Sequence, residues 1–159
     1  MNIEVKQLLD VDEKTLEKIT DWMYRWWGYR DGYSLEEVWC YMQHSLLKDR
    51  MPQTYGLYLE DKIIGMYQFM YEDLSIRPDI YPWLANVYID EKFRGKGYAR
   101  VLLESVKLTA SKLENVKELY LYTKHEKFYE KFGWEFISEI DTYSKNPRFQ
   151  RLYKFIIEK

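Results

Sequence analysis

The alternation of apolar and polar residues divides the chain into a mixed series of strands and helices. Asn2–Leu8 alternates enough for a first strand. Asp12 can cap a helix that carries Leu16, Ile19, Met23 and Trp26-Trp27 at helical spacing, with Gly28 where it would end. Ser34-Leu-Glu-Glu37 has the layout of a capping box and opens a second helix with Leu35, Val38, Met42 and Leu46 on one face. Tyr55–Leu59 and Ile63–Met70 flank Glu60-Asp61-Lys62 as a hairpin. A polar segment from Glu72 to Asp79 precedes a strand over Trp83–Ile89. Beyond Ala99, Leu102, Leu103, Val106, Ala110 and Leu113 form the buried stripe of a helix, with Arg100, Glu104, Lys107, Ser111 and Lys112 on its other face. Leu119–Tyr122 reads as a short buried strand and His125–Phe132 as a short helix closed by Gly133. Glu135–Tyr143 and Gln150–Ile157 read as two last strands around the turn Ser144-Lys-Asn-Pro147. No repeat, low-complexity tract or linker interrupts the series. The pattern predicts one α/β domain over residues 1–159, with helices flanking a mixed, largely antiparallel sheet.

One connection in this series carries chemistry. In Asn86-Val-Tyr-Ile-Asp-Glu-Lys-Phe-Arg-Gly-Lys-Gly-Tyr-Ala99 an apolar strand ends, a basic glycine turn follows, and a helix begins at once. The first turn of a helix leaves N–H groups without partners, and the macrodipole makes that end partly positive. Gly95 and Gly97 let the main chain turn tightly and approach a ligand closely. Four basic residues and no acidic one lie between Lys92 and Arg100. A phosphate-bearing ligand suits such a place. The glycine spacing is neither that of a dinucleotide fingerprint nor that of a Walker loop.

Arg94-Gly95-Lys96-Gly97-Tyr98-Ala99 matches the Arg/Gln-x-x-Gly-x-Gly/Ala signature of the GCN5-related N-acetyltransferase (GNAT) superfamily, which the chain here resembles. A second match follows downstream. Phe128-Tyr129-Glu130-Lys131-Phe132-Gly133-Trp134 resembles the family's Phe/Leu-Tyr-x-x-x-Gly-Phe element, with Trp134 where Phe is usual. The resemblance is specific over roughly residues 83–134 and topological over the first 50. It implies a GNAT-like acyl-CoA fold in which Trp83–Ile89 and Leu119–Tyr122 are the fourth and fifth strands, parallel and splayed. It further implies that Arg94, Gly95, Lys96, Gly97, Tyr98 and Ala99 cradle the pyrophosphate of acetyl-CoA, the cosubstrate. Backbone groups of Val87, Tyr88 and Ile89 would pair with the pantetheine arm, and Tyr129 would hydrogen-bond the coenzyme sulfur as the catalytic residue.

Composition narrows the class. Apolar residues make up 47% of the 159 positions and charged ones 31%, which suits a single folded core. No apolar run approaches the ~20 residues of a bilayer span, and the N-terminus lacks the layout of a secretory signal. The lone Cys40 cannot form an internal disulfide, so a reducing, cytoplasmic setting is expected. A net charge of −2 weighs against broad nucleic-acid binding. The 16 Tyr, 6 Trp and 7 Phe lack a flanking basic stripe, so they read as core and pocket walls and not as base-stacking platforms. No metal is expected, and the chain is read as a monomer or homodimer.

The chemistry implied is transfer of an acetyl group from acetyl-CoA to a primary amine, of a small molecule or a peptide terminus, by direct attack. The alternative is a noncatalytic acyl-CoA binding or sensing module. Glu72, Asp73, Asp79, Asn86 through a water, and His125 are the candidate bases. The aromatic connection Trp26–Tyr33 supplies Tyr29 and Tyr33 as candidate acceptor-binding residues, while Trp22, Trp26 and Trp39 are read as core-facing.

Overall fold

The structure, a computed structural model, describes residues 2–145 and 147–159. The expected turn Ser144–Pro147 therefore lies partly outside the described residues. Seven strands form one mixed sheet in the order β1-β2-β3-β4-β5-β7-β6. They are β1 (Ile3–Gln7), β2 (Gln53–Leu59), β3 (Lys62–Met70), β4 (Trp83–Ile89), β5 (Glu118–Thr123), β6 (Glu135–Asp141) and β7 (Phe149–Ile156). Among the described residues three α-helices accompany them: α1 (Glu13–Met23), α2 (Leu35–Gln43) and α3 (Tyr98–Ser111). The element order is the one expected from the sequence, except that a 3-10 turn stands where a helix was expected between β5 and β6. Contacts group the chain into two compact units, Met1–Phe69 with Asn86–Leu102 and Met70–Ala85 with Leu103–Lys159.

In the first unit, β1 and β2 pair antiparallel from Ile3↔Leu59 to Gln7↔Tyr55, and β2 pairs with β3 as the expected hairpin. Asp12 caps α1, its carboxylate accepting from the Thr15 N–H at 2.8 Å and so satisfying one of the free donors of the first turn. Ser34 and Glu37 complete both bonds of the capping box at the start of α2. Leu16, Ile19, Trp22 and Met23 of α1 join Val38 and Met42 of α2 in a buried cluster with Ile63, Met66 and Tyr88. Leu35, expected on the buried face, is exposed instead.

Helix α1 does not run unbroken to Gly28. Its last turn, Tyr24–Gly28, is π-helical, closed by the Tyr29 N–H donating to the Tyr24 carbonyl at 2.9 Å. The wider turn shifts the helical phase. Trp22 stays buried and Trp39 is half-buried, but Trp26 is 43% exposed, which corrects the expectation that it faces the core. Close packing holds the turn: a Cβ at Gly28 would sit 2.7 Å from the Val38 side chain.

In the second unit, β5 pairs with β7 and β7 with β6, both antiparallel. Trp83 of β4 pairs in parallel with Tyr120 of β5. Side chains of β5 alternate between buried and half-buried, so the strand is covered on one face more than the other. Leu74, Ile80, Trp83, Ile140 and Leu152 form its core cluster. The expected helix over 125–132 contracts to a single 3-10 turn, Tyr129–Phe132, ended by Gly133 at φ 89°. Lys127, at φ 62°, is left-handed, which is incompatible with a continuous helix through it.

Candidate active site

The glycine turn lies in the first unit, between the end of β4 and the start of α3. Asp90 caps a short 3-10 turn, Glu91–Phe93, by accepting from the Lys92 N–H at 3.1 Å. The chain then passes through Gly95 and Gly97 at φ 77° and 85°, and α3 starts at Tyr98. Nothing lies within 4 Å of a Cβ built at either glycine, so both backbones face open space. Amide groups at such a helix start, left without carbonyl partners, form a cradle for an anion. These residues fit a pyrophosphate.

Arg94 braces the turn. Its Nε donates to the Ile89 carbonyl at 2.8 Å, and its guanidinium lies 5.0 Å from the centre of the Tyr88 ring. The Tyr88 ring is also met by Trp22 and by the exposed Trp26, each at 5.5 Å. Burial pushes the Tyr88 phenol up, with Arg94 and Arg25 opposing. Within β4, Asn86 is left-handed at φ 53°, and the buried-exposed alternation fails there, Tyr88 and Ile89 both being buried. A left-handed residue inside a strand bends it in the manner of a bulge and re-aims the groups that follow.

Two further cations enter this region from distant sequence. Lys62, at the start of β3, places its Nζ 5.1 Å from the Phe93 ring centre, and Lys96 lies 5.8 Å from the same ring. The Lys18 ammonium is held below its usual range, first by burial and then by repulsion from Lys62 and Lys92 among others. Sequence reading missed both Lys62 and Lys18. Their approach depends on strand pairing and helix packing, and no local motif announces it.

Tyr29 and Tyr33 follow the π-helical turn and are exposed, Tyr29 at 75%. Tyr33 packs edge-on to Trp27 at 5.8 Å, and Trp27 packs edge-on to Tyr41 at 5.6 Å. The buried Trp27 indole N–H has no acceptor among the described residues.

Tyr129 belongs to the second unit. It is buried at 8% exposure, and burial, with Tyr153 adding in the same sense, pushes its phenol up to about 12. Its ring packs beside Tyr153 at 5.9 Å. Tyr153 is fixed in turn: its hydroxyl accepts from Arg151 Nε at 2.9 Å and donates to Glu130 at 3.1 Å.

The candidate bases separate clearly. Asp79 accepts two hydrogen bonds from Arg77, at 2.9 and 2.7 Å, and is held below the usual carboxylate range. Glu72 is exposed and lines a recess of about 230 Å³ with Tyr71, Arg77, Pro78, Ile80 and Tyr81. His125 is exposed. Asn86 donates its side-chain amide to Gln68 at 2.6 Å. Burial pushes the Asp73 carboxyl up to about 7, although part of the residue stays exposed. Among the described residues no group of three or more His, Cys, Asp or Glu is placed to hold a metal ion. No helix among them is long and apolar enough to cross a membrane.

The family model described as "Acetyltransferase (GNAT) domain" matches residues 52–136, just over half of the chain. The chain belongs to the GNAT acetyltransferase family. Spermine/spermidine N(1)-acetyltransferase of Bacillus subtilis is 29% identical over 93 residues, covering 54% of this chain and 61% of that enzyme. The match thus spans less than two thirds of that relative's length. Among solved structures, the acetyltransferase of Salmonella typhimurium that modifies the N-terminal serine of ribosomal protein L7/L12 superposes with a TM-score of 0.71 at 14% identity, covering 99% of this chain and 96% of that one. A GNAT acetyltransferase of Elizabethkingia anophelis with acetyl-CoA bound superposes with a TM-score of 0.63 at 18% identity, covering 98% and 99%. At these identities the likeness to both is one of fold.

Proposed function

We propose that this chain transfers an acetyl group from acetyl-CoA to a primary amine, of a small molecule or a peptide terminus. The observation that carries the reading is the basic glycine turn at the start of α3, with both glycines left-handed and open. Membership of the GNAT family and an acetyl-CoA-bound relative of the same fold support it. Gly95, Lys96, Gly97, Tyr98 and Ala99 would hold the pyrophosphate by their backbone, with Arg94 bracing the turn from the end of β4. Backbone groups of Val87, Tyr88 and Ile89 would meet the pantetheine arm and the thioester.

A neutral amine attacks the thioester carbonyl, the N–C bond forms, the C–S bond breaks, and the thiolate takes up a proton. Binding both reactants converts a bimolecular collision into an effectively unimolecular step, worth up to ~7–11 kcal/mol in favourable cases. The N–H of Val87 or Tyr88 is the proposed donor to the developing oxyanion. Tyr129 is the proposed donor to the departing sulfur, on the strength of its motif. Asp73 is the proposed base, since burial pushes its carboxyl up towards neutral pH.

For the acceptor, Tyr29 and Tyr33 with the exposed Trp26 offer aromatic faces that attract a cationic amine. The polyamine substrates in the name of the Bacillus subtilis relative and the protein terminus modified by the Salmonella typhimurium neighbour are both primary amines. The deciding experiment is thiol release from acetyl-CoA against a panel of polyamines, other alkylamines and short peptides. Release that depends on the amine establishes the transferase. Tight acetyl-CoA binding without release for any amine leaves the noncatalytic module.

A further inference from the structure

Gln68 is fully buried on β3, yet it is polar, and both ends of its amide are hydrogen-bonded. Its Oε1 accepts from Asn86 Nδ2 at 2.6 Å and from the Tyr41 hydroxyl at 3.4 Å, while its Nε2 donates to Thr54 Oγ1 at 2.9 Å. Thr54, also fully buried, gives its one hydroxyl proton to the Ser45 carbonyl at 2.7 Å. Because that proton is committed, Thr54 can only accept from Gln68, which fixes which end of the amide faces it. The other end, the carbonyl oxygen, is thereby aimed at Asn86. A residue needed only to fill the core here would be apolar, since a buried amide is costly unless fully paired.

What Gln68 holds is the irregular point of β4. Asn86 is the left-handed residue of that strand, at φ 53°, and its neighbours Val87 and Tyr88 carry the N–H groups proposed for the oxyanion. Asparagine tolerates this backbone better than most residues, but it has no intrinsic preference for it. At 2.6 Å the Asn86–Gln68 bond is short for an N–H donor, and it ties the side chain of the kinked residue to the neighbouring strand.

We infer that Gln68 is a positioning residue for the transfer: through the Asn86 amide it fixes the kink in β4 and so the orientation of the Val87 and Tyr88 N–H groups. This rests on the acetyltransferase reading above. The tests are Gln68→Met, Asn86→Gly and the double variant, assayed for kcat, for KM of acetyl-CoA and for amide hydrogen exchange at Val87 and Tyr88. Gln68→Met is expected to lower kcat by about 10- to 100-fold, the effect of a small misplacement at a reacting centre, with KM for acetyl-CoA changed by less than about twofold. Exchange at Val87 and Tyr88 should quicken about tenfold as the kink loosens. Glycine adopts positive φ freely and has no amide to hold, so in the Asn86→Gly background Gln68→Met should add less than about twofold.

An equal loss in both backgrounds, or unchanged exchange at Val87 and Tyr88, overturns the inference. Thr54→Val removes the acceptor that orients Gln68, along with the hydroxyl bond to the Ser45 carbonyl, and should show the same pattern more mildly. It decides the matter if Gln68→Met does not fold, and an unaltered kcat and exchange in it overturn the inference. Should the wild-type protein release no thiol with any amine, the transferase reading fails, and the exchange measurement still decides whether Gln68 fixes the kink.

Discussion

With its phenol pushed up to about 12, Tyr129 stays neutral throughout the pH range in which an amine would be acetylated. Passing its proton outright to a thiolate of pKa about 8.5 would be uphill by about 5 kcal/mol. The proposed role is therefore that of a hydrogen-bond donor to developing charge on sulfur. Tyr129→Phe keeps the ring and its packing beside Tyr153. It should retain acetyl-CoA affinity and lower kcat by no more than about 100-fold, the low end for proton-transfer assistance. Steady-state kinetics with isothermal titration checks this, and an unchanged kcat makes Tyr129 structural. Asp73 titrates in the opposite regime. If it is the base, kcat/KM for the amine rises as pH passes through about 7, and Asp73→Asn abolishes that inflection. Its effect on stability has a definite sign. The folded pKa lies above the unfolded value of about 3.9, so its contribution is full below about pH 4 and is lost as pH rises through about 7. Asp73→Asn should therefore melt higher than the wild type at alkaline pH, with the gap closing in acid, as thermal unfolding across a pH series would show.

At the scale of elements, the glycine turn makes the sharpest claim. Gly97→Asp places bulk and negative charge on a left-handed position at the helix start, so acetyl-CoA affinity should fall strongly while the fold persists, measured by titration calorimetry alongside circular dichroism. An undiminished affinity removes the turn as the phosphate site. Lys62→Glu at the head of β3 should weaken binding by a smaller factor and make its loss with salt shallower, because the attraction removed acts through space and is the part that salt screens. The turn and α3 were readable in sequence because both are local: glycines at fixed spacing followed by a stripe at 3.6-residue period, of which Leu102, Leu103, Val106 and Ala110 are all buried. The caps Asp12 and Ser34 were readable for the same reason. Trp26 was not. Its spacing from Trp22 places it on the buried face of a regular helix, whereas the π-helical turn, with Gly28 packed closely on Val38, shifts the phase and carries it outward. The segment before Tyr129 misled through its aromatics: Phe128 and Phe132 do meet, at 5.4 Å, as helix neighbours would, but across a single 3-10 turn. Gln68 gave no signal, because a glutamine in an apolar strand acquires meaning only when β2 and β4 bring Thr54 and Asn86 to it.

For the molecule as a whole, charge and fold bear on the acceptor together. A chain of net charge −2 attracts cations weakly overall, while the basic stretch around Lys62, Lys92, Lys96 and Arg100 is set against that background for an anionic coenzyme. This arrangement suits a cationic or terminal amine and disfavours a polyanionic acceptor. Tyr29 and Tyr33, exposed beside the π-helical turn, are the proposed contacts for that amine. Replacing both with alanine removes aromatic faces that hold a cation at about 0.5–1 kcal/mol each at exposed sites, so KM for the amine should rise by roughly five- to thirtyfold. Acetyl-CoA affinity should stay near its original value, because Gly95–Ala99 and the strand end behind them are untouched. Initial rates at saturating acetyl-CoA over a range of amine concentrations, paired with calorimetric titration of the coenzyme, separate the two effects. A matching loss of coenzyme affinity would mean that the segment orders the fold or the coenzyme. Tight RNA binding that falls steeply with salt would overturn the acceptor class itself.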